Sequence, residues 1–243
     1  MRYFTKEWYN DSLVAEMCFQ LRKTDRAGVF SDKYFEKLYA LEKRVYIKHL
    51  KRAAKFERRK FDEGAASLEF DSNFKENLAF VKANLPSEIL DGVKDVRVLA
   101  LGSATYEIAD KITRFSGMKN RQCEAVKRKY EEATDDVVER LGGVMPPLLR
   151  ELTGSPVAMA SGDGCGNVVI ETSHEYTGVA LRVTLENADL SEHDTCAHGA
   201  MICNYELLSL ENGKLEFSIL TLSGDATLHV ITAVGDSFKI EEI

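Results

Sequence analysis

The 243-residue sequence predicts an α+β fold: a helical N-terminal part followed by an antiparallel, meander-rich β-sheet of about six or seven strands. Charge changes along the chain, since residues 1–150 carry 29 Lys and Arg against 24 Asp and Glu, whereas residues 151–243 carry 3 against 15. The net charges are therefore +5 and −12, which together give the overall −7. Apolar spacing changes at the same place, from steps of three and four to strict alternation. The expected division is a mainly helical part at 1–150 and a sheet part at 151–243, and the two could share one core. A composition of 44% hydrophobic and 29% charged residues is that of a globular protein. The longest apolar runs, Leu78–Val81 and Val98–Leu101, fall far short of the ~20 residues that span a bilayer. With no apolar leader in Met1–Glu7 and an odd set of five cysteines (18, 123, 165, 196 and 203), the expectation is a cytoplasmic protein with free thiols.

Taken in order, Trp8, Leu13, Met17 and Leu21 suggest a first helix capped by Thr5. Ser31 or Asp32 opens a long helix expected to reach about Asp62. Its apolar stripe comprises Phe35, Leu38, Tyr39, Val45, Tyr46, His49, Leu50, Ala53 and Phe56, and Gly64 closes it. Asp71 or Ser72 is expected to cap the next helix, which Pro86 stops. From Pro86 a further helix is expected to run to Gly102. The rival reading of Val96–Thr105, a strand followed by a glycine turn, lacks the additional glycines of a phosphate-binding loop. Two helices, Thr105–Phe115 and Met118–Leu141, complete the helical part.

Beyond Ser155, Val179, Leu181, Val183 and Leu185 share one strand face, as do Leu215, Phe217 and Ile219. Asn212-Gly213 is the strongest hairpin signal, and Ser223-Gly224-Asp225 and Gly235-Asp236 mark further turns. The sheet is expected to be wet and acidic on one face and buried on the other.

Met1–Tyr9, Leu85–Leu90 leading into Asp95–Thr105, and the hairpin Tyr205–Gly213 resemble a bacterial family of domains of unknown function (number four-zero-eight-five), found mainly in Firmicutes. The likeness spans nearly the whole chain. Where many relatives open the sheet with a Leu/Phe-His-Asp stretch, this chain has Leu152-Thr153-Gly154-Ser155. The resemblance implies a shared fold and carries over no activity, cofactor or catalytic residue.

Two clusters carry candidate chemistry. His193, Cys196, His198 and Cys203 are all zinc-ligand types, but their spacing matches no standard finger or catalytic pattern. Residues 33–60 hold 11 basic and 3 acidic residues, a net of +8. Lys48, Lys51, Arg52 and Lys55 are the candidate binding residues for RNA, DNA or an acidic partner, against the plainer reading of a solvated face. Ser161–Asn167 is glycine-rich yet lacks the Lys and the following helix of a phosphate loop, and reads as a hairpin connection. Tyr3, Phe4, Trp8 and Tyr9 read as an anchor into the core. The favoured reading is a non-enzymatic interaction module for another protein, with no cofactor, steered by the acidic sheet. Nucleic-acid or acidic-partner binding through residues 33–60 is the alternative, and a metal-dependent enzyme at 193–203 the weaker one.

Overall fold

A computed structural model describes residues 1–17, 21–141, 145–162, 166–173, 178–192 and 198–243; for 136, 138, 140, 145–147 and 189–192 only the backbone is described. The chain is α+β, with helices up to residue 152 and antiparallel sheets after it. It divides into two compact units, one of Met1–Ser12 with Arg121–Ile243 and the other of Leu13–Asn120. The compositional boundary near residue 150 is a different division and lies within the first of these.

The unit of Leu13–Asn120 is built on helices. Helix α1 (Lys6–Glu16) starts at Thr5, whose hydroxyl accepts from the Trp8 amide at 3.2 Å. Helix α2 (Asp32–Phe56) is capped by Ser31, whose side chain accepts from the Tyr34 amide. It stops short of the expected Asp62. Arg58 takes a left-handed conformation (φ 57) and the Arg59 amide reaches back to Ala54 O at 2.9 Å, the bonding pattern of a Schellman stop. Helix α3 (Glu63–Asn84) then begins eight residues earlier than the expected cap, because the Asp62 side chain accepts from the Ala65 amide. Gly64 therefore lies in the first turn of α3 and does not close α2. Short helices α4 (Ser87–Leu90) and α5 (Val96–Ala100) replace the single helix expected from Pro86 to Gly102. The rival strand before Gly102 is not formed, because Val96–Ala100 is helix α5; β2 (Ser103–Ala104), beyond the glycine, pairs in parallel with β1 (Arg22–Lys23). The two helices expected from Thr105 to Leu141 are one, α6 (Tyr106–Leu141, 36 residues). Val81, Leu85, Ile89, Leu99, Ile108 and Ile112 form the main core of this unit, and Ala27, Leu38 and Val98 a smaller one.

The other unit is a sandwich of two four-stranded antiparallel sheets, following α7 (Met145–Leu152). The first contains β3 (Val157–Gly162), β4 (Val168–Thr172), β5 (Leu181–Glu186) and β10 (Ser237–Glu242), in the order β10-β5-β4-β3. The second contains β6 (Asp189–Glu192), β7 (Met201–Ser209), β8 (Leu215–Leu222) and β9 (Leu228–Gly235), in the order β6-β9-β8-β7. The strands thus form two sheets where the sequence suggests one. Leu181, Val183 and Leu185 from the first sheet meet Phe217, Ile219, Ile231 and Ala233 from the second in one core, with Leu149 and Leu152 of α7. Across it the rings of Phe217 and Phe238 lie 5.1 Å apart. The Asn212-Gly213 turn joins β7 to β8 as expected, with Gly213 at φ 81.

The buried face of each sheet therefore packs mainly on the other sheet. The first sheet keeps a wet face, where Arg182 pairs with Glu171 at 2.7 Å and Lys239 with Glu241 at 2.6 Å. The second sheet is buried on its reverse as well, through Glu206, Leu208, Ser218, Leu220 and Thr232. Glu206 is 1% exposed, and its carboxylate accepts three successive backbone amides, from Arg2 (2.8 Å), Tyr3 (2.8 Å) and Phe4 (2.6 Å). The aromatic start anchors into the core as expected: Phe4 stacks edge-on to Trp8 and Tyr130, and the Tyr130 hydroxyl accepts from the Leu207 amide at 3.0 Å.

Two outcomes follow from this packing. Glu206→Ala leaves three buried amides without their charged acceptor and should lower unfolding free energy by on the order of 3 kcal/mol in urea denaturation. At Gly235 an added Cβ would stand 2.8 Å from Glu186 O and 3.1 Å from Leu185 Cβ. Gly235→Ala should therefore cost about 1–3 kcal/mol by the same measurement, with the folded-state circular dichroism preserved.

Candidate functional site

Helix α2 has two unlike faces. The inner one packs on α3 through aromatic rings: Tyr39 lies edge-on to Phe70 and Phe74, Phe35 is tilted on Phe74, and Tyr46 on Phe70. Hydrogen bonds fix the rotation of the helix. The Tyr39 hydroxyl donates to Asp71 at 2.5 Å, Lys43 pairs with the same carboxylate at 2.6 Å, and the Tyr46 hydroxyl donates to Glu69 at 2.6 Å. Near the start of α2, Arg97 clasps Asp95 through two nitrogens, bonds Asp32 at 2.8 Å and lies over the rings of Phe35 and Phe30. Burial opposes ionisation of Asp95, but the Arg97 bonds outweigh it and hold the carboxyl below its usual range.

With the inner face fixed, the outer face follows from helical geometry. At 3.6 residues per turn, Lys33, Lys37, Arg44, Lys48, Lys51, Arg52 and Lys55 fall within an arc of roughly 120° and a length of about 33 Å. All seven are exposed, and among the described residues none is in an ion pair. No acid shares the arc: Asp32, Glu36 and Glu42 lie to its sides. The candidate residues Lys48, Lys51, Arg52 and Lys55 are thus brought together on one surface, at spacings of three, four and seven. Leu41 and Val45 lie among the cations and Phe56 flanks them, all exposed. Val45, His49 and Phe56, expected on the apolar stripe, are on the outside, because the aromatic contacts with α3 rotate the stripe away from them. The row opens onto a shallow cavity of about 360 Å³ lined by Arg26, Val29, Ser31, Lys33, Tyr34 and Lys37.

The metal candidates are placed differently. His193 and Cys196 lie outside the described residues, as do Cys18 and Cys165. His198 is exposed, and its Nδ1–H donates to Ala158 O at 2.6 Å. Cys203 is half-buried on β7, its thiol donates to Met201 O, and burial pushes the thiol pKa up, away from the thiolate that a metal needs. Among the described residues no three His, Cys, Asp or Glu side chains converge as a metal site would require. The glycine-rich stretch from Ser161 connects β3 to β4, whose ends pair at Gly162 and Val168. A second concavity, about 550 Å³, lies between α6, α7 and β7, with Tyr130, Val137 and Leu207 in its wall. Lys127 and Arg150 there face Glu131 and Asp135, so it selects no sign of charge. No helix among the described residues is long and apolar enough to cross a membrane.

The hydroxyls that orient α2 provide a test of its seating. Burial, with Asp71 adding a hydrogen bond and a negative charge, pushes Tyr39 up to about 12, and burial with Glu69 does the same for Tyr46. An unfolded tyrosine loses its proton near 10, so between pH 10 and 12 the unfolded chain releases protons that the folded unit keeps. The stabilisation is complete below pH 10 and is lost as pH rises through 12. Burial also raises Tyr130 and Tyr205, so tyrosinate absorbance should show several late-titrating phenols, and Tyr39→Phe with Tyr46→Phe should remove two of them. Compared with known protein families, with curated proteins and with solved structures, the chain finds no match in any of the three.

Proposed function

We propose that this chain works by binding rather than by catalysis, as a cytoplasmic interaction module that docks an acidic partner on the outer face of α2. One observation carries the reading: seven exposed cations share an arc of roughly 120° with no acid among them and no ion pair among the described residues. Solvated helix faces usually alternate their charges, because like charges at three- and four-residue spacing repel. A row of one sign accepts that cost, which an acidic partner would relieve. The acidic part of the chain supports an interface less well. Glu206 is buried, and Glu171 and Glu241 are already paired with Arg182 and Lys239. The free thiol of Cys203 suits a reducing compartment.

The probe is polyglutamate. The parent protein should bind it, and should release it as salt rises from about 0.05 to 0.2 M, because exposed charges are screened over that range. Changing Lys48, Lys51, Arg52 and Lys55 to Gln should abolish binding with the helical circular dichroism intact, since all four side chains are exposed. A variant that binds as well as the parent would end the proposal.

A further inference from the structure

We infer that the acidic partner of α2 is a single-stranded nucleic acid, bound along the cation row without regard to sequence; this rests on the docking surface proposed above. The first support is the composition of the surface. Protein–protein interfaces are depleted of lysine at their centres and built on buried apolar anchors. Here lysine and arginine occupy the centre of the face, and only Leu41 and Val45 stand among them. A row of cations about 33 Å long is suited to a phosphate backbone, whose counterions it displaces.

The second support is aromatic. Phe56 stands at the C-terminal end of the row and is 91% exposed. Phe30, 59% exposed, lies instead against Arg97, on the side of α2 that carries Phe35. Phe56 presents nearly its whole ring at the last residue of α2. Near the far end Lys51 lies over the ring of Phe61. A positively charged track with aromatic side chains on which bases stack is how single strands are held. In a duplex the base faces are already stacked on each other, so exposed rings gain nothing there unless they wedge open a base step. The arc also holds no Asn or Gln, the side chains that read adenine edges bidentately, and base stacking is tolerant of sequence. A membrane fits poorly, because a helix that lies in a bilayer surface needs a broad apolar face, and the apolar face of α2 is spent on α3.

Fluorescence anisotropy with labelled oligo(dT) of about 20 nucleotides tests this, a length chosen to exceed the site sizes known for such tracks. A hairpin duplex, polyglutamate and phosphatidylserine vesicles serve as the other probes. Oligo(dT) should bind most tightly, with log K falling against log salt at about −0.7 per phosphate neutralised. Phe56→Ala should weaken oligo(dT) binding about five-fold or more and leave polyglutamate binding unchanged. If polyglutamate binds as tightly as oligo(dT) and the Phe56 variant matches the parent on both, the partner is an acidic protein. In that case this inference fails while the docking surface stands. Preferential binding to the duplex or the vesicles overturns it in the same way. If no polyanion binds, both the inference and the docking surface fall together.

Discussion

A carboxylate inside a protein is costly unless its charge is met in full, and Glu206 is met by the backbone itself. Three successive amides, those of Arg2, Tyr3 and Phe4, converge on its two oxygens, forming a concave nest of N–H groups around the anion. The arrangement is reciprocal. The amides of a terminal segment would otherwise bond water, and the carboxylate would otherwise have no reason to sit at 1% exposure on the reverse of the second sheet. Once the segment is pinned, Phe4 reaches Trp8 and Tyr130, and Tyr130 returns its hydroxyl to the amide of Leu207, beside Glu206. That closed circuit explains why β8 is buried on both faces although its sandwich partner covers only one.

The unit of Leu13–Asn120 rests on a different device. Helix α2 is long, strongly basic and amphipathic, and its aromatic side meets α3. Tyr39, Tyr46 and Lys43 fix its rotation, because each carries an apolar stem and a polar tip that finds Asp71 or Glu69. Only one rotation of the helix satisfies all three. The cationic arc is thus a consequence of the aromatic face opposite it.

Much of this was legible in the sequence where the signal is local. Lys48, Lys51, Arg52 and Lys55 sit at helical spacing, so their shared face could be read directly, and the Asn212-Gly213 hairpin declares itself by its turn chemistry. What escaped depends on distant or competing terms. Glu206 is a single acid in an apolar run, and its partners lie more than 200 residues away. The alternation of a strand is the same whether eight strands make one sheet or two, so the sandwich left no mark in the pattern. The break expected between Phe115 and Met118 spans Gly117, whose cost in a helix is about 1 kcal/mol, small beside a 36-residue element. Val45 and Phe56 fit an apolar stripe by spacing, and only the tyrosine tips reveal that the stripe lies elsewhere.

The interleaving of the two units has a bearing on synthesis. Residues 1–12 are made before Leu13–Asn120, yet the unit to which they belong is completed only after that stretch has emerged. Until Glu206 and the strands around it leave the exit tunnel, the nascent chain carries Phe4 without the carboxylate that pins its amide. The segment of residues 1–12 is in effect a latch that engages only once β7 has been made. A chain cut short before β7 would display that aromatic segment openly, in the form that chaperones and proteases recognise as unfinished.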